Sequence, residues 1–264
     1  MNKIITLVQK EWADVFRHRY VLFMVLFMPV LLTVIPVIVL GLGASPDIIT
    51  GMPDQVPPAV LERPPYNTLT TEEAMQAFIG QQFNLFFLIV PLAIPMTIAT
   101  YSIVGEKRER SLEPLLATPI STAQLLAAKS IAAAAPGAIG VWLSAAIYAV
   151  ALQFIVPSAT VREILLSAPF LVSVLIIAPL LTVLATTVGL SISSRVNDPR
   201  VAEQLGMVVI VPVLALIFGQ IAGVVIFDVT VSLIFAAILA VVDVGLLALA
   251  VRLFSRETIL TRWK

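Results

Sequence analysis

Six stretches without a charge, at 20–46, 74–105, 130–161, 164–194, 204–227 and 229–251, the last broken only by Asp243, leave this 264-residue chain few folds to adopt. Each exceeds the ~20 residues that carry an α-helix across a ~30 Å hydrocarbon core. Composition places the runs in a bilayer: 59% of residues are hydrophobic and the mean hydropathy is +1.04, well above the roughly 45–50% apolar content of a soluble domain. Backbone groups in lipid must be satisfied within their own segment, and no ten-residue alternation signals a barrel. The expected fold is an all-α membrane protein, one domain of six transmembrane helices at 20–42, 82–104, 130–152, 164–192, 204–227 and 229–251.

Basic residues orient it, because Lys and Arg are retained on the cytoplasmic side. Residues 1–19, 105–129, 193–203 and 252–264 carry four, four, two and four of them, against Arg63 and Arg162 alone on the opposite face. Both termini are expected to be cytoplasmic, leaving 43–81 as an external loop. The formal net charge of zero hides this asymmetry and gives no footing for a nucleic-acid partner. The chain has no cysteine, and its one histidine, His18, lies outside the runs, which removes thiolate chemistry and most His-containing metal sites. Nineteen residues precede a first run longer than a 7–15-residue signal core, so that span is expected to stay in the mature protein.

Residues 1–19 place Ile4, Leu7, Val8, Trp12, Val15 and Phe16 near helical spacing. The pattern predicts an interfacial amphipathic helix in contact with the lipid, with Trp12 and Phe16 on its apolar side and Trp12 at headgroup level. Thr70 with Glu73, Ser121 with Gln124, and Thr160 with Glu163 have capping-box spacing and mark helix starts. Asp198 before Pro199 suits the start of the fifth helix. Pro29, Pro36, Pro169 and Pro179 are expected to kink the spans that contain them. Gly219 and Gly223 permit close packing of the fifth helix, the reading favoured, or a broken external end to it, and that helix would be joined almost directly to the sixth around Asp228.

The segment "VGEKRERSLEPLLATPIS", Val104 to Ser121, holds six charges within eight positions, Glu106, Lys107, Arg108, Glu109, Arg110 and Glu113. Pro114 and Pro119 bound a short broken element whose Leu115, Leu116 and Ala117 offer a small apolar surface beside the charged arm. Charge would set orientation there and apolar contact would supply burial, the properties of a docking knob.

This segment resembles the stretch between the second and third spans of type-2 ATP-binding-cassette exporter permeases, with its Glu-rich arm, Ser-Leu-Glu turn, paired leucines and Thr-Pro-Ile-Ser exit. "QKEWADVFRHRYVLFMVLFMPVLL", "SSRVNDPRVAEQLGMVVIVPVLAL" and "LFSRETILTRWK" resemble that family's connecting helix and first span, its fifth-span start and its basic C-terminus. The lean is toward the sodium-export and multidrug-resistance branches. Arg110 departs from the glycine common at that place.

The resemblance implies an exporter permease of a prokaryotic cell membrane, not catalytic by itself, paired with a second permease subunit, as a homodimer, and with two cytosolic ATPase subunits that bind ATP and Mg. It implies a coupling helix within 105–129, and Glu106, Arg108, Glu109, Glu113, Leu115, Leu116 and Pro119 as the residues that meet the ATPase. The chain itself lacks G-x-x-x-x-G-K-[ST], the phosphate-cradling loop. Two other classes remain open, an ion-coupled secondary transporter or channel and a non-transporting sensing component. Asp243 is the residue that speaks for the first, because a charge near a span's centre costs roughly 2.5–3.5 kcal/mol on insertion scales. Thr33, Thr97 and Thr182 fall at broadly similar depth and join it as translocation-pathway candidates.

Overall fold

The computed structural model describes residues 3–42, 56, 58–62, 64–108 and 121–253. An N-terminal helix, Lys3–Val15, precedes six helical spans, Arg19–Gly41, Thr71–Lys107, Gln124–Ile155, Ala159–Ser193, Pro199–Ile221 and Val229–Ala250, each long and apolar enough to cross a bilayer. There is no strand among the described residues.

The second span is the hub. Of its most apolar window 89% is buried, against 22% for the first and the sixth. One side of it, with Phe87, Val90, Ile94 and Ile98, packs with Val21 and Leu40 of the first span, Tyr148 of the third and Phe170 of the fourth. The other, with Leu88, Leu92 and Met96, meets Leu181 of the fourth span, Val213 and Ile217 of the fifth and Leu239 of the sixth. The sixth span packs on the fourth.

Helix starts follow local chemistry. Thr70 and Glu73 form a reciprocal capping box, as do Ser121 and Gln124, so helix runs from Thr71 and from Thr122, well before the stretches assigned to the membrane at 82 and 130. Asp198 accepts the backbone N–H of Arg200 at 2.8 Å, with Pro199 at the first helical position. The third expected box does not form. The helix there spans Ala159–Leu165 with Ser158 at its N-cap, so Thr160 already lies inside it. Gly223 takes the second of its two expected roles, a break at the helix end. At φ 70° it closes the fifth span, the amides of Gly223 and Val224 returning to the carbonyls of Gln220 and Gly219. This left-handed cap ends the helix at Ile221 instead of 227, and residues 222–228 link the last two spans.

Proline leaves an unmatched carbonyl four residues upstream, and neighbouring segments supply donors for two of these. Pro136 of the third span has no N–H for Ala132, whose carbonyl accepts the indole N–H of Trp12 at 2.9 Å. Pro169 likewise has none for Leu165, and Asn84 of the second span donates there at 2.8 Å. The fourth span then makes a π-turn over Ser173–Ile177 just before Pro179, and Trp142 donates to Val174 within it at 3.0 Å.

The Trp12 indole N–H is therefore satisfied within the protein, by a carbonyl of the third span. Leu7 and Val8 pack on Ala128 and Ala132, so the N-terminal helix lays this part of its apolar stripe against the third span. The small side chains of "LLAAKSIAAAA" allow that close approach.

Candidate functional site

Two carboxylates interrupt the interior where the N-terminal helix meets the bundle. Glu11 lies on the same helical face as Leu7, Val8 and Val15, and is 3% exposed. Glu106, 7% exposed, sits near the end of the second span, and Lys129, 3% exposed, near the start of the third. The Lys129 ammonium is 2.8 Å from Glu11 Oε1 and 2.8 Å from Glu106 Oε2, and donates to Ser102 Oγ at 2.8 Å. Ser102 donates in turn to Glu11 Oε2 at 2.5 Å. Lys10 binds Glu106 Oε1 at 2.9 Å and reaches Asp14 at 3.5 Å. Burial pulls the Lys10 ammonium down, but Glu106, Glu11 and Asp14 outweigh it and its pKa lies above the ordinary lysine value.

Lys10 and Lys129 offset Glu11 and Glu106, so the group is neutral as a set. Each member is costly to bury alone and tolerable together, because Coulomb attraction in a low-dielectric site offsets desolvation only when geometry and hydrogen bonding are complete. Mechanically it is a staple. Glu106 and Lys129 lie on the two helices either side of residues 109–120, and the ion pair ties the second span to the third and both to the N-terminal helix. Lys107 adds a second brace, donating to the carbonyls of Ser193, Ser194 and Val196 at 2.8, 2.7 and 3.1 Å, the C-terminal end of the fourth span.

Of the residues expected to meet an ATPase, Glu106 belongs to this staple and Arg108 ends the helix; Glu109, Glu113, Leu115, Leu116 and Pro119 lie outside the described residues. Trp12 and Phe16 line an apolar groove of about 470 Å³ with Pro29, Thr33, Gly140 and Ser144. The sequence reading passed over Lys10, Glu11, Ser102 and Lys129. The available signal was Lys129, the only charge between Glu113 and Arg162, together with Glu11 inside an apolar stripe.

The intramembrane polar residues do not form one cluster. Thr33 donates to the Pro29 carbonyl at 2.7 Å and Thr182 to that of Pro179 at 2.6 Å, both local back-bonds at helix prolines. Thr97 donates instead to Glu203 at 2.5 Å. Asp243, 4% exposed, receives no hydrogen bond from any described residue. None of these three hydroxyls donates to Asp243, because each finds a nearer acceptor. A buried carboxylate without donors costs stability. Asp243→Leu is expected to insert normally and to raise the thermal midpoint in detergent by the equivalent of about 1–3 kcal/mol; an unchanged or lower midpoint would show that the carboxylate is compensated.

The sequence profile of the ABC-2 family transporter proteins matches residues 5–233. The chain belongs to that family. As an ABC-2 permease it is a multi-pass membrane component of an ABC transporter, not catalytic by itself, and family membership implies association with ABC ATPase subunits. The match takes in the whole staple and Glu203, and it ends before Asp243. No curated protein matches the chain.

Proposed function

We propose that this permease forms the translocation pathway of an ATP-driven exporter and is driven through residues 105–129. Two copies would pair, most simply as a homodimer, with two separate cytosolic ATPase subunits that bind ATP and Mg. Both termini and the 105–129 segment would face the cytoplasm of a prokaryotic cell.

The observation that carries this reading is the staple. A flexible loop docked on a moving ATPase would absorb the motion, whereas a segment whose ends are joined through Glu106 and Lys129 and tied to Glu11 passes displacement to the second and third spans and the N-terminal helix together. The second span packs on the first, third, fourth and fifth spans, and the fourth on the sixth, so motion at its end is distributed through the bundle. Two-state rocking of packed helices needs such a stiff connection.

Charge reversal or apolar loss in the knob tests the docking. Glu113→Lys, and separately Leu115→Asp with Leu116→Asp, are expected to leave membrane insertion intact and to reduce co-purification of the ATPase by roughly tenfold, the loss of one well-placed contact of about 1.4 kcal/mol. ATP-driven transport should fall with it. Wild-type recruitment and turnover in both variants would overturn the assignment.

A further inference from the structure

Glu203 carries a second buried charge, at the junction of three spans and apart from the staple. It is 8% exposed, on the opening helix of the fifth span. Its Oε1 accepts both hydrogen bonds made to it, from Thr97 Oγ1 of the second span at 2.5 Å and from the Tyr20 hydroxyl of the first at 3.5 Å. Arg200, one turn earlier on the same helix, is exposed and makes no ion pair with it, and among the described residues no other Lys or Arg does. Two neutral hydroxyls are weak compensation for a buried carboxylate, which is normally matched by a cation.

The surroundings indicate which cation. The Tyr20 ring lies 5.6 Å from Tyr101, and Tyr101 lies 5.9 Å from His18. Tyr20 is 45% exposed and its hydroxyl reaches the carboxylate, so these rings lie between the surface and Glu203. Aromatic faces attract organic ammonium groups, more so when the ion is partly desolvated. One carboxylate and two hydroxyls fall well short of the six to eight oxygens that Ca²⁺ takes. Both Tyr20 and Glu203 sit at the starts of odd-numbered spans, on the side of the bundle that carries the staple, where an exporter takes up its cargo.

We propose that Glu203, with Thr97 and Tyr20, binds the cationic group of an organic cargo that approaches over the rings of Tyr20, Tyr101 and His18. The proposal rests on the exporter reading for its direction of transport, and its test needs neither ATP nor the ATPase. The full chain, purified in detergent, is titrated with ethidium and followed by fluorescence anisotropy, with the neutral dye Nile red as the comparison. Saturable ethidium binding is expected, weakened roughly tenfold or more in Glu203→Gln, which keeps an acceptor for Thr97 and Tyr20 but removes the charge. Tyr20→Leu should weaken it several-fold, and Glu203→Asp should retain part of it. Nile red binding and the thermal midpoint should stay at wild-type values in Glu203→Gln.

Equal ethidium affinity in wild type and Glu203→Gln overturns the site. So does parallel loss of ethidium and Nile red binding, which would make Glu203 a latch between spans. Displacement of ethidium by sodium chloride but not by choline chloride at the same ionic strength would reject an organic cation in favour of an inorganic one. Failure of ATPase recruitment would touch the exporter reading and leave this binding result standing.

Discussion

Lys129→Met is expected to uncouple the permease and to lower its stability by about 3–5 kcal/mol, the usual cost of removing one partner from a buried ion pair. Lys129 is the hinge of the staple because it alone contacts Glu11, Ser102 and Glu106. Without its ammonium, Glu11 and Glu106 are left in a site from which water is largely excluded, with only the half-exposed Lys10 to offset them, 2.9 Å from Glu106 and 4.0 Å from Glu11. The N-terminal helix should lift from the third span, and the ends of the 105–129 segment should separate. The measurements are the thermal midpoint of the purified chain and the ATP turnover of the complex stimulated by the permease. Lys129→Met combined with Glu11→Leu and Glu106→Gln should recover most of the lost midpoint, because no uncompensated carboxylate remains, while turnover stays low because the joint is gone. Lys10→Ala is the contrast: its ammonium is half-exposed, and exposed pairs are worth about 0–1 kcal/mol. A Lys129→Met protein with wild-type midpoint and turnover would remove the staple from the coupling path.

The spans were legible because their signal is one-dimensional. Charge-free runs of sufficient length, capping boxes at Thr70 and Ser121 and the cap at Asp198 each depend on residues a few positions apart. What pairs with what across the bundle depends on crossing angles and depth, which have no local signature. Thr97 and Asp243 look alike in depth along the sequence, yet Thr97 bonds Glu203 of the fifth span, while Asp243 belongs to the sixth span, which packs on the fourth. Glu203 itself was passed over because it ends one charge-free run by a single residue, and the count treated it as a boundary rather than as interior. Trp12 shows the same limit from another direction. Its place on an amphipathic face was readable, but its partner is a carbonyl left open by Pro136, a proline 124 positions away.

Gly137→Leu is expected to cost about 1–3 kcal/mol or more of stability, since it overfills a point where the second, third and fourth spans meet without room for a side chain. A Cβ at Gly137 would stand 2.5 Å from Cγ and 2.8 Å from Cδ of Pro95, and 3.2 Å from Thr182 Cγ2. The sign is not set by sterics alone, because any side chain in place of a helical glycine gains roughly 0.5–1 kcal/mol of backbone propensity. The proline ring decides it. A flexible side chain could rotate away, but Pro95 is fixed to the backbone of the central span, so relief requires moving that span. Gly140→Ala, three residues along the same helix, is the matched control. Its Cβ would meet Ile94 and Pro29 at 3.4 Å, ordinary contact, so it should be neutral or slightly stabilising. Displacing Pro95 also displaces Thr97 two residues on, and with it the hydroxyl held on Glu203. Gly137→Leu should therefore lower the thermal midpoint and weaken ethidium binding together, whereas Gly140→Ala should change neither. If Gly137→Leu keeps both at wild-type values, the three spans do not cross as tightly as described, and the link between their packing and Glu203 fails with it.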